Sequence, residues 1–574
     1  MYDVFMYIDK VPNRKSPPCI LLRESYREDG KVKKRTIANI TSWPKEKIAS
    51  MEKILKGNGR VVENIEKEMT IKRSLPHGHI SVILKTIKKL KLDKIISRIT
   101  NEKLLIVLAM IIMRIISPSS KLSTSRNLME ETSISTLGSE LGLENINEDK
   151  LYASMDWLLD KQSDIEKKLS EKHLANNTLI MYDLSSSYFE GNGCPIAKYG
   201  YSRDHRKDKL QIEYGLMCNK EGCPISIEVF EGNISDSKTL SSQVEKIQKK
   251  FKLKNIVLVG DRGMITTKKI EEELADIEDL EWISALKTSE IRKVLSNFPI
   301  QLTFLDKKIA EVSHKDFPGE RLLFCKNPLV EEKRKKARAA LIEATEKELE
   351  KIVVATKREK RTLKGKEKIA FRVGKNINKK KVSKYFKTEI TDSSFHYERD
   401  NERIEKDERL DGIYIIRTSV NKKSMNDNEV VSSYKNLSLV ENAFRSLKTV
   451  DLKIRPIYHY NEKRAKSHVL ICMLAYYVEW HLRQSLKPIL FDDHEKIKKQ
   501  SPVDPYEPSE SAKRKAKTKR SDDNLPIHSF QTLMKDLSTI VKSEINFDNN
   551  TFFKTTIPTK LQQKALDLLN IKAL

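Results

Sequence analysis

The sequence predicts an α/β protein centred on a mixed sheet, and three observations carry that prediction. Between Leu179 and Lys287 the apolar pattern runs strand, strand, strand, helix, strand, helix, strand, an order that lets the first and fourth strands become neighbours. The first strand, LIMYDLSSSYFEG, holds one acid, Asp183, inside an apolar run, and the fourth, NIVLVGDRGM, ends on Asp261 between Gly260 and Gly263. A third acid, Glu441, lies on the late stretch Tyr434 to Lys448, where Leu437, Val440 and Phe444 form an apolar stripe at helical spacing.

Taken in order, residues 1–45, within a first module of residues 1–75, alternate in short runs, VFMYIDKV, CILLRESYRED, a turn at Gly30 and KVKKRTIANI. They predict a β-hairpin module with a basic outer face and a linker near Gly57 to Gly59. Residues 76–175 are helical in pattern; NEKLLIVLAMIIMRII is stopped by Pro118, and Met155 to Leu169 is a further amphipathic run. This region reads either as a DNA-binding domain or as a packing domain with a solvated basic face. Residues 176–290 form the first part of the core. There KLQIEYGLMCNKEGCPISIEVFEG gives two strands about Gly222, and Ser235, Asp236 and Ser237 mark a helix start.

Residues 291–429 read as a β-rich insertion, with strand-like IQLTFL, ERLLFC, IAFRVG and GIYIIRTSV and one long charged helix, LVEEKRKKARAALIEATEKELEKIV. The core resumes over 430–490 with the Glu441 helix and a buried helix, residues 491–525 read as a basic linker, and residues 526–574 as a small carboxyl-terminal module. Three or four units suit 574 residues.

Charge narrows the partners. The formal net charge is +27, from 108 Lys and Arg against 81 Asp and Glu, beyond what solubility needs and suited to a polyanion, with nucleic acid first. The longest apolar runs, Leu104 to Met113 and Val469 to Val478, are too short to span a bilayer, and the start lacks a basic region followed by an apolar run. The expectation is a soluble, cytoplasmic, nucleoid-associated protein with no membrane partner and no nucleotide cofactor. The six cysteines are scattered, no histidine cluster completes a zinc site around them, and reduced structural thiols are expected.

The chemistry expected of Asp183, Asp261 and Glu441 is metal binding. Hard divalent cations prefer oxygen donors, and two ions about 4 Å apart need a shared acid with a flanking acid each. Each acid has a plainer reading. Asp183 could belong to a turn, although an unpaired Asp inside an apolar strand is unfavourable. Asp261 could cap a turn, and Glu441 with Ser438 spells a capping box. Tyr434, Glu441 and Lys448 recur every seven residues, close to two helical turns, and so would share one face. In the polar loop YSRDHRKDK, Arg203, Arg206 and Lys207 are candidate DNA contacts, and Asp204 and Asp208 are alternative ligands.

The motifs YDLSSSYFEG, KYGYSRDHRKDKLQIEYGL, VLVGDRGM and YKNLSLVENAFRSLKTVDLKIRPIYHY, with VPNRKSPPCILLRESYREDGKVKKRTIANI near the start, resemble the DDE transposases of the IS4 type, and more closely the IS1634 group. The resemblance implies an RNase H-like core with the β-rich insertion before the last acid, and Asp183, Asp261 and Glu441 as the catalytic, metal-binding triad for two Mg²⁺ ions, with Mn²⁺ able to substitute. It implies binding of inverted terminal repeats, cleavage at the element ends, transfer of the 3′-hydroxyls to target DNA, and a homodimer in the synaptic complex. The family pattern Y-x2-R-x3-E-x6-K falls on Tyr434, Leu437, Glu441 and Lys448, so Leu437 stands where the pattern has Arg; Arg445, one turn after Glu441, is the substitute cation on that face. Tyr434 and Lys448 would then contact terminal phosphates. Relatives stack a flipped base on a tryptophan in the insertion, whereas Trp43, Trp157, Trp282 and Trp480 all lie outside 291–429. A catalytically decayed end-binding protein and a plain metal-dependent nuclease are the rival readings.

Overall fold

In the computed structural model, which describes residues 5–14, 16–57, 69–297, 309–493, 502–503, 508–547 and 550–572, the chain divides into two units. The first comprises Met1–Ser74 with Lys542–Thr555, and the second the remainder. In the first unit β1 (Phe5–Val11), β2 (Cys19–Glu28) and β3 (Lys31–Asn39) form an antiparallel sheet in that order. The β2–β3 turn places Asp29 at φ 51° and Gly30 at φ 74°, the paired left-handed conformation that tight hairpins select Asp-Gly for. The helix Lys45–Leu55 follows, then β4 (Met69–Pro76). Of the expected linker, Asn58 and Gly59 lie outside the described residues.

The second unit opens with helices. Asn101 caps Glu102–Ile116 by accepting from the Leu104 N–H at 2.9 Å. That helix is buried along nearly its whole length and packs on the equally buried helix Glu462–Leu486. Apolar residues all round the helix explain this.

The central sheet comprises β5 (Leu179–Tyr188), β6 (Gln211–Asn219), β7 (Pro224–Glu231), β8 (Ile256–Gly260), β9 (Leu280–Ala285), β10 (Ile309–Val312), β11 (Arg321–Lys326) and, beyond a separate ladder of β12 (Phe386–Ile390) with β13 (Phe395–Arg399), β14 (Ile413–Thr418). Its order is β10-β11-β14-β9-β8-β5-β6-β7. Strands β5, β8 and β9 are mutually parallel and the remaining neighbours antiparallel. The strand order of 179–287 is therefore as the sequence predicts.

The insertion departs from a purely β-rich one. Three of its strands extend the central sheet, and the helices Pro328–Thr356 and Lys366–Lys379 build a core of their own with β12 and β13. ERLLFC and GIYIIRTSV are β11 and β14, and the long charged helix is present, but IAFRVG lies in the Lys366–Lys379 helix. Ile369, Val373 and Ile377 repeat every fourth residue and are buried while Phe371 faces out, so helical periodicity overrides the β-branched run. IQLTFL lies outside the described residues.

Residues 508–525 are more than a linker. Helix Glu510–Thr518 is N-capped by Ser509, and its buried Lys515 donates to the carbonyls of Lys487 and Asp492 at 2.9 and 3.1 Å. The carboxyl-terminal stretch is divided between the units. Helices Phe530–Ser538 and Lys560–Leu568 join the second, whereas β15 (Val541–Phe547) and β16 (Asn550–Thr555) pair in the order β16-β15-β4 in the first. Among the described residues no single helix is long and apolar enough to cross a membrane.

Candidate functional site

Register brings two of the three acids together. The β5–β8 ladder pairs Tyr182 with Gly260, so the next residue of each strand is an acid, Asp183 and Asp261, and neighbouring strands run about 4.8 Å apart. The helix Leu437–Arg445 packs on β5 and carries Glu441, which is exposed, as is Asp261. Asp183 is mostly buried and accepts the Leu184 N–H at 2.8 Å. Burial pushes its carboxyl up to about 7, against that N–H, and the charges of Asp261 and Glu441 add to the rise while Arg203 opposes it. Three carboxylates crowded in this way, offering only oxygen, suit a hard divalent cation that would relieve the repulsion.

The neighbouring cations are engaged elsewhere. Arg203, expected to contact DNA, is turned inward; it pairs with Glu213 and donates to Asp236 Oδ1 at 2.7 Å. Burial nevertheless raises the Glu213 carboxyl to about 7, against its arginine partner. Lys448 donates to Asp204 Oδ1 at 2.7 Å and to Ser185 Oγ at 3.0 Å, and Arg455 pairs with the same Asp204 oxygen. Burial pulls the Lys448 ammonium down, against Asp204. The Asp204 side chain is only 1% exposed and paired twice, so the candidate ligand of the loop is an ion-pair hub. Asp208 binds Arg206 at 3.0 and 2.9 Å at the surface, and Arg206 lies over the Tyr188 ring. Lys207 and Arg445 are exposed.

The seven-residue spacing does not run along one helix. Tyr434 ends the helix Asp427–Lys435, Glu441 sits in Leu437–Arg445, and Lys448 lies in the wider π turn Ser446–Val450. Tyr434 is half-buried with its hydroxyl toward Asp261, and burial and then that charge raise its pKa. The capping box belongs to Asn426 and Glu429, and Leu437–Arg445 has no side-chain cap. Glu441 is thereby not a capping residue. Leu437 is buried in the main apolar core.

Two features escaped the sequence. Asp236, read as a helix start, directs Oδ2 at the space beside Gly263, where Asp261 Oδ2 also points; a Cβ on that glycine would lie 3.6 and 3.5 Å from them. Tyr199, Tyr201, Tyr458 and Tyr460 expose their rings on loops after β5 and before the Glu462–Leu486 helix; no periodicity marks such residues. The expectation that no histidine cluster gathers around a cysteine is corrected as well. Among the described residues, one set of three potential ligands has its atoms within 4.8 Å of one another, and it is His173, Cys223 and His481.

Comparison with known proteins gives two family matches. Residues 183–478 match the transposase DDE domain, and residues 8–68 match the amino-terminal domain of IS1634 family transposases. None of the curated proteins matches the chain. Among solved structures, the cryo-EM structure of the piggyBac transposase synaptic complex with hairpin DNA is similar over 80% of this chain and 76% of that one, at 10% identity and a TM-score of 0.34, too slight a likeness to carry an argument.

Proposed function

The chain belongs to the DDE transposases, in the IS1634 group, and on that footing we propose that it cuts DNA at the two ends of a mobile element and joins each freed 3′-hydroxyl to target DNA. The observation that carries this reading is the acid trio: Asp183 and Asp261 at adjacent positions of parallel strands, with Glu441 on the helix packed on β5. An RNase H-like core is supported by the order β9-β8-β5-β6-β7, three antiparallel strands flanked by two that run parallel to the first.

DDE transposases use divalent metal ions, and Asp183, Asp261 and Glu441 would hold Mg²⁺, or Mn²⁺ in its place, as two ions. Bound there, the ions would supply charge stabilisation and an activated nucleophile for in-line displacement at phosphorus. The protein's own groups position the DNA. Lys207, Arg206 and Arg445, at the surface, take backbone phosphates, and the Tyr434 hydroxyl orients Asp261. Arg203 and Lys448 act as positioning residues, fixing the 189–210 loop and the Glu441 segment rather than meeting DNA. The exposed rings of Tyr199, Tyr201, Tyr458 and Tyr460 offer stacking faces to unpaired bases.

The partners in this reading are inverted-repeat ends and target duplex, held by a homodimer so that both ends are cut together, in the cytoplasmic nucleoid. The +27 charge supplies salt-dependent affinity, and the module of residues 1–75 and other flanking parts read sequence. The test is cleavage of a plasmid carrying the gene with its native flanks, in Mg²⁺ or Mn²⁺, by wild type and Asp261→Ala. Cuts at both ends and a covalent donor–target product, absent in the variant and in EDTA, support the proposal. Scattered nicking without joining would replace it by a nuclease, and end binding without cutting by a decayed copy.

A further inference from the structure

Away from the acids, three segments remote in sequence converge on a different donor set. His173 ends the helix Gln162–His173, Cys223 lies in the turn before the edge strand β7, and His481 belongs to Glu462–Leu486. Both helices pack on β7. One donor atom from each residue lies within 4.8 Å of the others, and Cys223 Sγ is 4.0 Å from His481 Nε2. Tetrahedral zinc with bonds of about 2.3 Å to sulfur and about 2.0 Å to nitrogen places such a pair about 3.5 Å apart, so side-chain rotation alone could close the trio. His173 Nε2 is 2.8 Å from the Tyr477 hydroxyl, a contact that holds the ring in place.

We propose that His173, Cys223 and His481 form a zinc-class site, separate from the acid trio, that clamps the two helices to the edge strand β7. The donors are borderline-soft, a thiolate with two imidazoles, and select Zn²⁺ over Mg²⁺. Burial lowers both histidines to about 4, which keeps them in the neutral, ligating form at neutral pH. Burial also raises the Cys223 thiol, so binding must expel its proton to solvent as the S–metal bond forms. His481 also lines a cleft of about 560 Å³ with Lys85, Lys89, Ser485 and Asn570.

The experiment is titration of chelator-stripped full-length protein with Co²⁺, then Zn²⁺. The expected result is a thiolate-to-cobalt charge-transfer band that saturates with one equivalent of thiolate-bound Co²⁺, separate from any Co²⁺ taken by the acid trio, with release of about one thiol proton for that metal, and loss of the band when Zn²⁺ displaces Co²⁺. Cys223→Ser should abolish the band and His481→Gln should weaken binding at least about tenfold. Cys218→Ser, which alters the nearby β6 thiol, and Asp183→Asn, which alters the acid trio, should leave the band intact. A wild-type titration without a thiolate band overturns the proposal whether or not the variants fold, and so does a band that survives in Cys223→Ser.

Discussion

Asp183→Asn tests the electrostatic account of the acid trio directly. In the folded chain burial, followed by the charges of Asp261 and Glu441, raises the Asp183 carboxyl from 3.8 to about 7. That gap corresponds to about 4 kcal/mol. Below pH 3.8 the group is protonated both folded and unfolded, and the contribution to stability is fully present. As pH rises, the unfolded chain loses its proton first and stability falls, until the loss is complete above about pH 7. Asparagine keeps the shape and can still accept the Leu184 N–H, but carries no charge. In EDTA the variant should therefore match wild type near about pH 4 and exceed it by up to about 4 kcal/mol at about pH 8, a figure already net of the Leu184 bond. Hydrogen exchange of the β5 and β8 amides reads this locally, which avoids assigning a single unfolding free energy to a chain of several cores. Millimolar Mg²⁺ should then stabilise wild type and leave the variant unmoved. A variant less stable than wild type at about pH 8 in EDTA, or a difference that does not change with pH, would refute the reasoning.

Asp204→Ala leaves Lys448 and Arg455 facing each other without their shared anion. Thermal unfolding should show a loss of about 3–5 kcal/mol, with the 189–210 loop exchanging fastest. Lys207→Ala should weaken DNA binding almost uniformly across sequences and reduce the slope of log affinity against log salt by about 1; an unchanged slope would remove Lys207 from the interface.

The parts of the fold legible in the sequence were those set by local pattern. Asp183 inside LIMYDL and Asp261 after IVLV each belong to a strand run that the local pattern identifies, and the parallel pairing of β5 with β8 then brings the two acids side by side. What composition does not encode is which charged side chain faces inward. Arg203 and Lys448 looked like surface cations because sequence neighbours do not reveal Glu213, Asp236 or Asp204 waiting across the fold. The seven-residue spacing of Tyr434, Glu441 and Lys448 implied one straight helix, but the break at Asn436 and the π turn at Ser446–Val450 leave no local signature. Cys223 and His481 stand 258 residues apart, so only the packing of two helices on β7 brings them together.

These ion pairs bear on how the acid trio can work. Three of the cations close to it neutralise other acids: Arg203 serves Glu213 and Asp236, and Lys448 and Arg455 serve Asp204. Arg203 offsets the Asp183 charge only in part, and the repulsion left among Asp183, Asp261 and Glu441 is the electrostatic case for divalent ions at this point. Leu437 fits the same logic. It stands where the family pattern has Arg, yet its side chain is packed in the main core, and a guanidinium on that path would have to be desolvated or displace the helix from β5. On the Glu441 helix Arg445 is exposed, and in the proposed reading it is the cation that meets a phosphate, with Leu437 holding the helix that carries the glutamate.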